Sequence, residues 1–125
     1  FDVVVNVTQH TFSPNDNNCA YHHIPMEDNV FFDITDALQQ SEAIFQECKP
    51  HSKCVVFCDK GCSRSATIIL HQLLLRCKTS SSDGSTNISG HWKVSTMLQE
   101  VKRIYPKIQP NEGFLCQLRF IHDHR

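Results

Sequence analysis

The chain carries almost no net charge, −1 over 125 residues, and this argues against two classes of partner at once. Nucleic acid and anionic membrane surfaces are recognised through an excess of lysine and arginine, and the balance here gives neither. Long apolar runs are missing as well: no stretch approaches the roughly 20 residues a transmembrane helix needs, so no membrane span is expected. The seven cysteines are an odd set without metal-like pair spacing, and Cys54, Cys58 and Cys62 fall across different predicted elements, so no metal is expected either. At this length, with 40% hydrophobic residues, there is material for one compact core and too little for two ordinary domains. Residues 1–125 therefore read as a single domain.

What is present alternates between two periodicities. Residues 3–7, 20–25 and 54–57 are short β-branched or apolar runs bounded by turn residues, which predicts strands of a mostly buried sheet. Ile34, Ala37, Leu38, Ser41, Ile44, Phe45 and Cys48 share one helical face after Asp33, a candidate N-cap, and Pro50 marks the exit. A second helix is predicted over 65–77. A third carries Val94, Met97, Leu98, Val101 and Ile104 up to Pro106, and a last one over 111–122 buries Phe114, Leu118 and Ile121. Between the second and third lies a polar Ser/Gly tract, residues 79–90, with no periodicity, which reads as a flexible loop inserted into the domain. The fold class is α/β, a central mostly parallel sheet flanked by helices. Two Asn-x-Ser/Thr triplets begin at Asn6 and Asn87, but a buried strand at Asn6 argues against its modification. The pairs His22/His23 and His122/His124 read as surface residues of a strand and of the tail.

The chemistry concentrates in residues 58–65, Cys-Asp-Lys-Gly-Cys-Ser-Arg-Ser, placed between Val-Val-Phe and Ala-Thr-Ile-Ile-Leu. That setting is a turn from a buried strand into a helix, where backbone N–H groups converge on an anion. Asp59, Lys60, Gly61, Cys62, Ser63 and Arg64 would wrap a phosphoryl group, with Gly61 permitting the tight turn and Arg64 holding two oxygens bidentately. A free thiol titrates near ~8.5, and a helix N-terminus with a nearby cation lowers it to roughly 3.5 to 7.5, so Cys58 is the candidate nucleophile. Ser65 could hydrogen-bond the thiolate or the departing sulfur.

This loop resembles the signature of the cysteine-dependent protein phosphatases, in the Gly-x-Ser-Arg-Ser version of the dual-specificity subgroup. The resemblance extends along nearly the whole chain. Residues 3–8, Val-Val-Val-Asn-Val-Thr, are similar to the family's early core strand. Residues 21–29, Tyr-His-His-Ile-Pro-Met-Glu-Asp-Asn, are similar to the strand and loop carrying its general acid, which puts Asp28 in that place with Glu27 and Asp33 as rivals. Residues 109–118, Gln-Pro-Asn-Glu-Gly-Phe-Leu-Cys-Gln-Leu, resemble the Pro-Asn-x-Gly-Phe-x-x-Gln-Leu segment that opens the last helix. Family domains usually carry a strand and a helix before the point where this chain starts, so the domain reads as partial at its N-terminus.

The resemblance implies removal of phosphate from phosphotyrosine and phosphoserine/threonine of protein substrates, through a phosphocysteine and without cofactor. One position departs from the pattern: Phe57 stands where the family has the histidine that orders the loop and keeps the thiolate ionised. A slow enzyme is one consequence. The alternative is a pseudophosphatase that captures phosphorylated residues through Arg64 without turning them over. RNA or inositol-lipid substrates fit less well, because relatives acting on RNA resemble Asn-Arg-Thr where this chain has Ser63-Arg64-Ser65, and lipid enzymes tend to add basic residues inside the loop. A thiolate nucleophile needs a reducing compartment, which predicts a cytoplasmic protein, with the nucleus as a second location.

Overall fold

The computed structural model describes residues 2–11, 19–59, 62–80 and 92–123. The polar tract assigned to a loop lies almost wholly outside them, as do Lys60, Gly61 and His124. β1 (Val3–Asn6) is central in a parallel sheet of order β2-β1-β3, with β2 (Ala20–His23) on one side and β3 (Cys54–Phe57) on the other. Val3 pairs with Ala20 and Cys54, and Asn6 with His23 and Phe57, so all three strands end level with one another. Pairing continues slightly past the regular strands: Val7 N–H donates to Phe57 O, and Ile24 N–H to Asn6 O.

Four helices follow: α1 (Thr35–Gln46), α2 (Arg64–Ser80), α3 (Val94–Ile104) and α4 (Glu112–His122). α2 is the hub, packing on β3 and against the other three helices. Val5, Val7, Ile24, Met26, Ile34, Ile68, Leu70, Leu74, Phe114 and Leu118 are buried in one continuous core between sheet and helices. Phe114 meets Phe32 edge-to-face, ring centroids 6.4 Å apart.

Several expectations change. β3 is half-buried along its whole length, because among the described residues it pairs only with β1. Its outer side opens onto an apolar groove of 890 Å³ lined by Val55, Ile69, Leu73, Val101 and Ile104, and this is why Ile104 is exposed rather than buried. The N-cap of α1 is Ile34, not Asp33; the Asp33 carboxylate sits one residue further out and accepts from Thr35 N–H at 2.9 Å and Thr35 Oγ1 at 2.6 Å. α2 runs on through Thr79 and Ser80, residues that polar composition assigns to the loop, since extending a formed helix adds one bond per residue fixed. Val94 N–H at the start of α3 is satisfied by Asp123 Oδ1, beyond the end of α4. His122 is buried, not a surface residue: its Nε2 lies 2.8 Å from His71 Nδ1, and His71 Nε2 faces Glu42 Oε2 at 3.2 Å. His23 likewise turns inward, its Nε2 2.8 Å from Thr8 O. Asn6 is fully buried with its amide nitrogen donating to His10 O and Tyr21 Oη, which leaves no room for a glycan.

Candidate active site

The site forms where the parallel strands end, the usual crevice of an α/β sheet. Cys58 directly follows β3, half-buried against the core, and its Sγ lies 3.4 Å from Ser65 Oγ in the first turn of α2. Ser63 precedes the helix and its carbonyl accepts from both Thr67 N–H and Thr67 Oγ1, which fixes the helix start immediately behind the loop. Cys58, Cys62, Ser63, Arg64 and Ser65 are thus drawn to one end of the molecule. Lys60 and Gly61, expected to complete the cradle, are the two of its residues outside the described part.

Arg64 is buried, 8% exposed, yet only part of its guanidinium is used. Nη1 donates to Met26 O at 3.0 Å and Nη2 meets Asp59 Oδ2 at 3.2 Å, while Nε is buried with no hydrogen-bond partner among the described residues. An orphaned buried N–H costs about 1–3 kcal/mol, so Arg64 is poised to gain from an anion that accepts from Nε. Asp59, more than half exposed, acts differently from the other loop residues: it neutralises Arg64 rather than adding a donor. Exposed ion pairs are worth about 0.2–1 kcal/mol, and Asp59→Asn is accordingly expected to tighten inhibition by inorganic phosphate up to about fivefold. An unchanged inhibition constant would mean that the Asp59–Arg64 pair has no net effect on anion binding.

The segment 109–118 turns out to be a cradle for the loop that carries Asp28. Gln109 N–H donates to Cys62 O, and Asn111 N–H to Ser63 Oγ at 3.0 Å, so this segment docks on the cysteine loop. Asn111 then does two more things with its side chain: Oδ1 caps α4 by accepting from Phe114 N–H at 2.8 Å, and Nδ2 donates to Asp28 Oδ1 at 3.0 Å. Six residues on, Gln117 braces the other end of the acid loop, with Oε1 accepting from Ile34 N–H and Nε2 donating to Phe32 O. Between them Gly113 faces the Val30 backbone so closely that a Cβ would overlap Val30 O and lie 2.6 Å from Val30 Cα. Gly113→Ala should therefore push the loop away and lower kcat about ten- to a hundredfold with a smaller change in KM, a loss that steady-state kinetics on an aryl phosphate would read.

The candidate carboxylates are differently engaged: Asp28 accepts from Asn111 Nδ2. Asp33 spends its carboxylate on Thr35, and those hydrogen bonds, side chain first, hold it below the ordinary aspartate range, which suits a cap and not a proton donor. Asn29, not Asp28, makes the Asx turn of the loop, accepting from Phe31 N–H at 2.8 Å. Asn111 and the carbonyl of Met26, which joins Arg64 to the acid-bearing segment, are site residues that local sequence pattern does not reveal, since their partners lie far along the chain.

A cysteine that follows a parallel strand, an arginine in the first turn of the next helix and a carboxylate tied to the intervening loop through Asn111 match the arrangement expected of the cysteine-dependent phosphatase class. The family model "Dual specificity phosphatase, catalytic domain" matches residues 1–123, and the chain belongs to that family. Solved structures share the fold. The Yvh1 phosphatase domain from Chaetomium thermophilum is 26% identical with a TM-score of 0.78, covering 98% of this chain and 78% of its own. Human DUSP28 is 24% identical with a TM-score of 0.75, covering 98% and 77%. A human tyrosine phosphatase-like serine/threonine/tyrosine-interacting protein is 18% identical with a TM-score of 0.68, covering 97% and 75%. Among the described residues no cluster of three or more His, Cys, Asp or Glu could hold a metal ion, and no helix is long and apolar enough to cross a membrane.

Proposed function

We propose that this domain hydrolyses phosphate esters of tyrosine and of serine or threonine in proteins, through a phosphocysteine. The observation that supports the reading is the hydrogen-bonded chain from Ser63 through Asn111 to Asp28, which ties the loop after Cys58 to that carboxylate. Cys58 sulfur attacks phosphorus while Arg64 holds the equatorial oxygens, and Asp28 protonates the leaving oxygen. Ser65 donates to the sulfur as it departs in the second step, when water, deprotonated by Asp28, cleaves the S–P bond and releases inorganic phosphate. The reaction needs no cofactor. A reducing compartment, the cytoplasm or the nucleus, would keep Cys58 competent.

A second reading has its own support: Phe57 supplies no polar group before the nucleophile, and Arg64 is already ion-paired. Under that reading the domain binds phosphorylated residues without releasing phosphate. Hydrolysis of a small aryl phosphate across pH 5 to 8, by the unmodified chain and by Phe57→His, separates the two. Turnover by the unmodified chain is the expected result, with Phe57→His faster. Silence of the unmodified chain beside an active Phe57→His would make it a phosphate-binding module.

A further inference from the structure

Away from the site just described, two thiols touch. Cys48 follows the last turn of α1, with its N–H donating to Phe45 O and its thiol to Ile44 O at 3.3 Å. Cys54 opens β3, and the two sulfurs are 3.7 Å apart. A turn closed by Ser52 N–H on Lys49 O, with Pro50 inside it, holds the two ends together. Both side chains are half-buried among apolar neighbours.

We propose that Cys48 and Cys54 form a peroxide-driven reversible disulfide, a second thiol site independent of Cys58. A disulfide needs about 2.05 Å between sulfurs, so side-chain rotation has to close about 1.7 Å, with the backbone already returned on itself. Access is built in: Cys48 lines a surface cavity of 510 Å³ together with Asp2, His22, Glu47, Lys49 and His51, ample for a hydroperoxide. Cys54 borders the apolar groove on the other side, so the sulfurs face separate openings; the Cys48 cavity is the one with polar walls, which suits a hydroperoxide, and burial pushes the Cys54 thiol up, so Cys48 is assigned as the thiol oxidised first and Cys54 as the one that resolves it. The Cys48 sulfur attacks the peroxide, the O–O bond breaks, and a sulfenic acid and one water form. The Cys54 sulfur then displaces the sulfenic oxygen as a second water, so two thiols and one hydrogen peroxide become one disulfide and two waters. Fixed proximity favours this second step over escape to a higher oxidation state.

The consequence lies in the strand. β3 runs from Cys54 straight into the nucleophile, so oxidation would pin the start of that strand to the end of α1 while leaving Cys58 its own oxidation chemistry.

The test is hydrogen peroxide treatment of the folded chain and of Cys58→Ser, alkylation of the remaining thiols, and peptide mapping without reductant. The expected result is a Cys48–Cys54 linked peptide in both proteins, with free thiols falling from seven to five in the unmodified chain once Cys58 itself is protected by phosphate, and full recovery in dithiothreitol. In Cys48→Ser, Cys54 should stay alkylatable at the same dose. Free Cys48 and Cys54 after a dose that oxidises Cys58 would overturn the proposal. So would pairing of either with another cysteine, or loss of the Cys54 thiol in Cys48→Ser.

Discussion

Cys58→Ser is expected to lower hydrolysis of an aryl phosphate by at least about a thousandfold while leaving the fold and the affinity for inorganic phosphate nearly intact. Removing a covalent nucleophile commonly costs this much or more, because the remaining groups then have only water to position. Serine fills almost the same volume beside Ser65 Oγ, and contacts that hold the loop run through Ser63 Oγ, Cys62 O and the Arg64 guanidinium. The two readouts must therefore part company. A variant that kept a tenth of the activity would show that Cys58 is not the nucleophile, whereas one that lost phosphate affinity with activity would point to a damaged loop.

Asp28→Asn should have an effect that depends on the leaving group. With phenyl phosphate, whose phenolate leaves poorly, kcat is expected to fall about a hundred- to a thousandfold; with a nitrophenyl ester, which needs little protonation, the loss should be several times smaller. The substitution is geometrically conservative, since an asparagine Oδ1 still accepts from Asn111 Nδ2 and the acid loop keeps its braces at Gly113 and Gln117. Equal losses for both esters would remove Asp28 from the reaction and return attention to Glu27.

Much of this was legible in the chain itself. The parallel strands announce themselves as Val-rich runs, the helices as 3.6-residue periodicity, and the cysteine loop as a turn between the two. What was not legible depends on partners far away in sequence. Asn111 looks like an ordinary N-cap until Asp28 and Ser63 are placed beside it, and Gly113 looks like a poor helix residue until the Val30 backbone is found against it. His122 reads as tail because its partner, His71, lies on another helix. Asp33 was misplaced by one residue because an aspartate that bonds the second N–H onward satisfies the same sequence pattern as a true cap.

The order in which the site's parts occur along the chain has a consequence for synthesis. Asp28, Cys58 and Arg64, the proposed acid, nucleophile and phosphate-binding arginine, all precede residue 66, yet Asn111, which bonds both Asp28 and Ser63, comes at the start of the last helix. A nascent chain leaving the ribosome exposes its reactive thiol well before the clamp emerges, and domains form as units only once their contacts are available. A polypeptide that stopped short of residue 109 would thus hold Asp28, Cys58 and Arg64 and still lack the hydrogen bonds through Asn111 that join their segments.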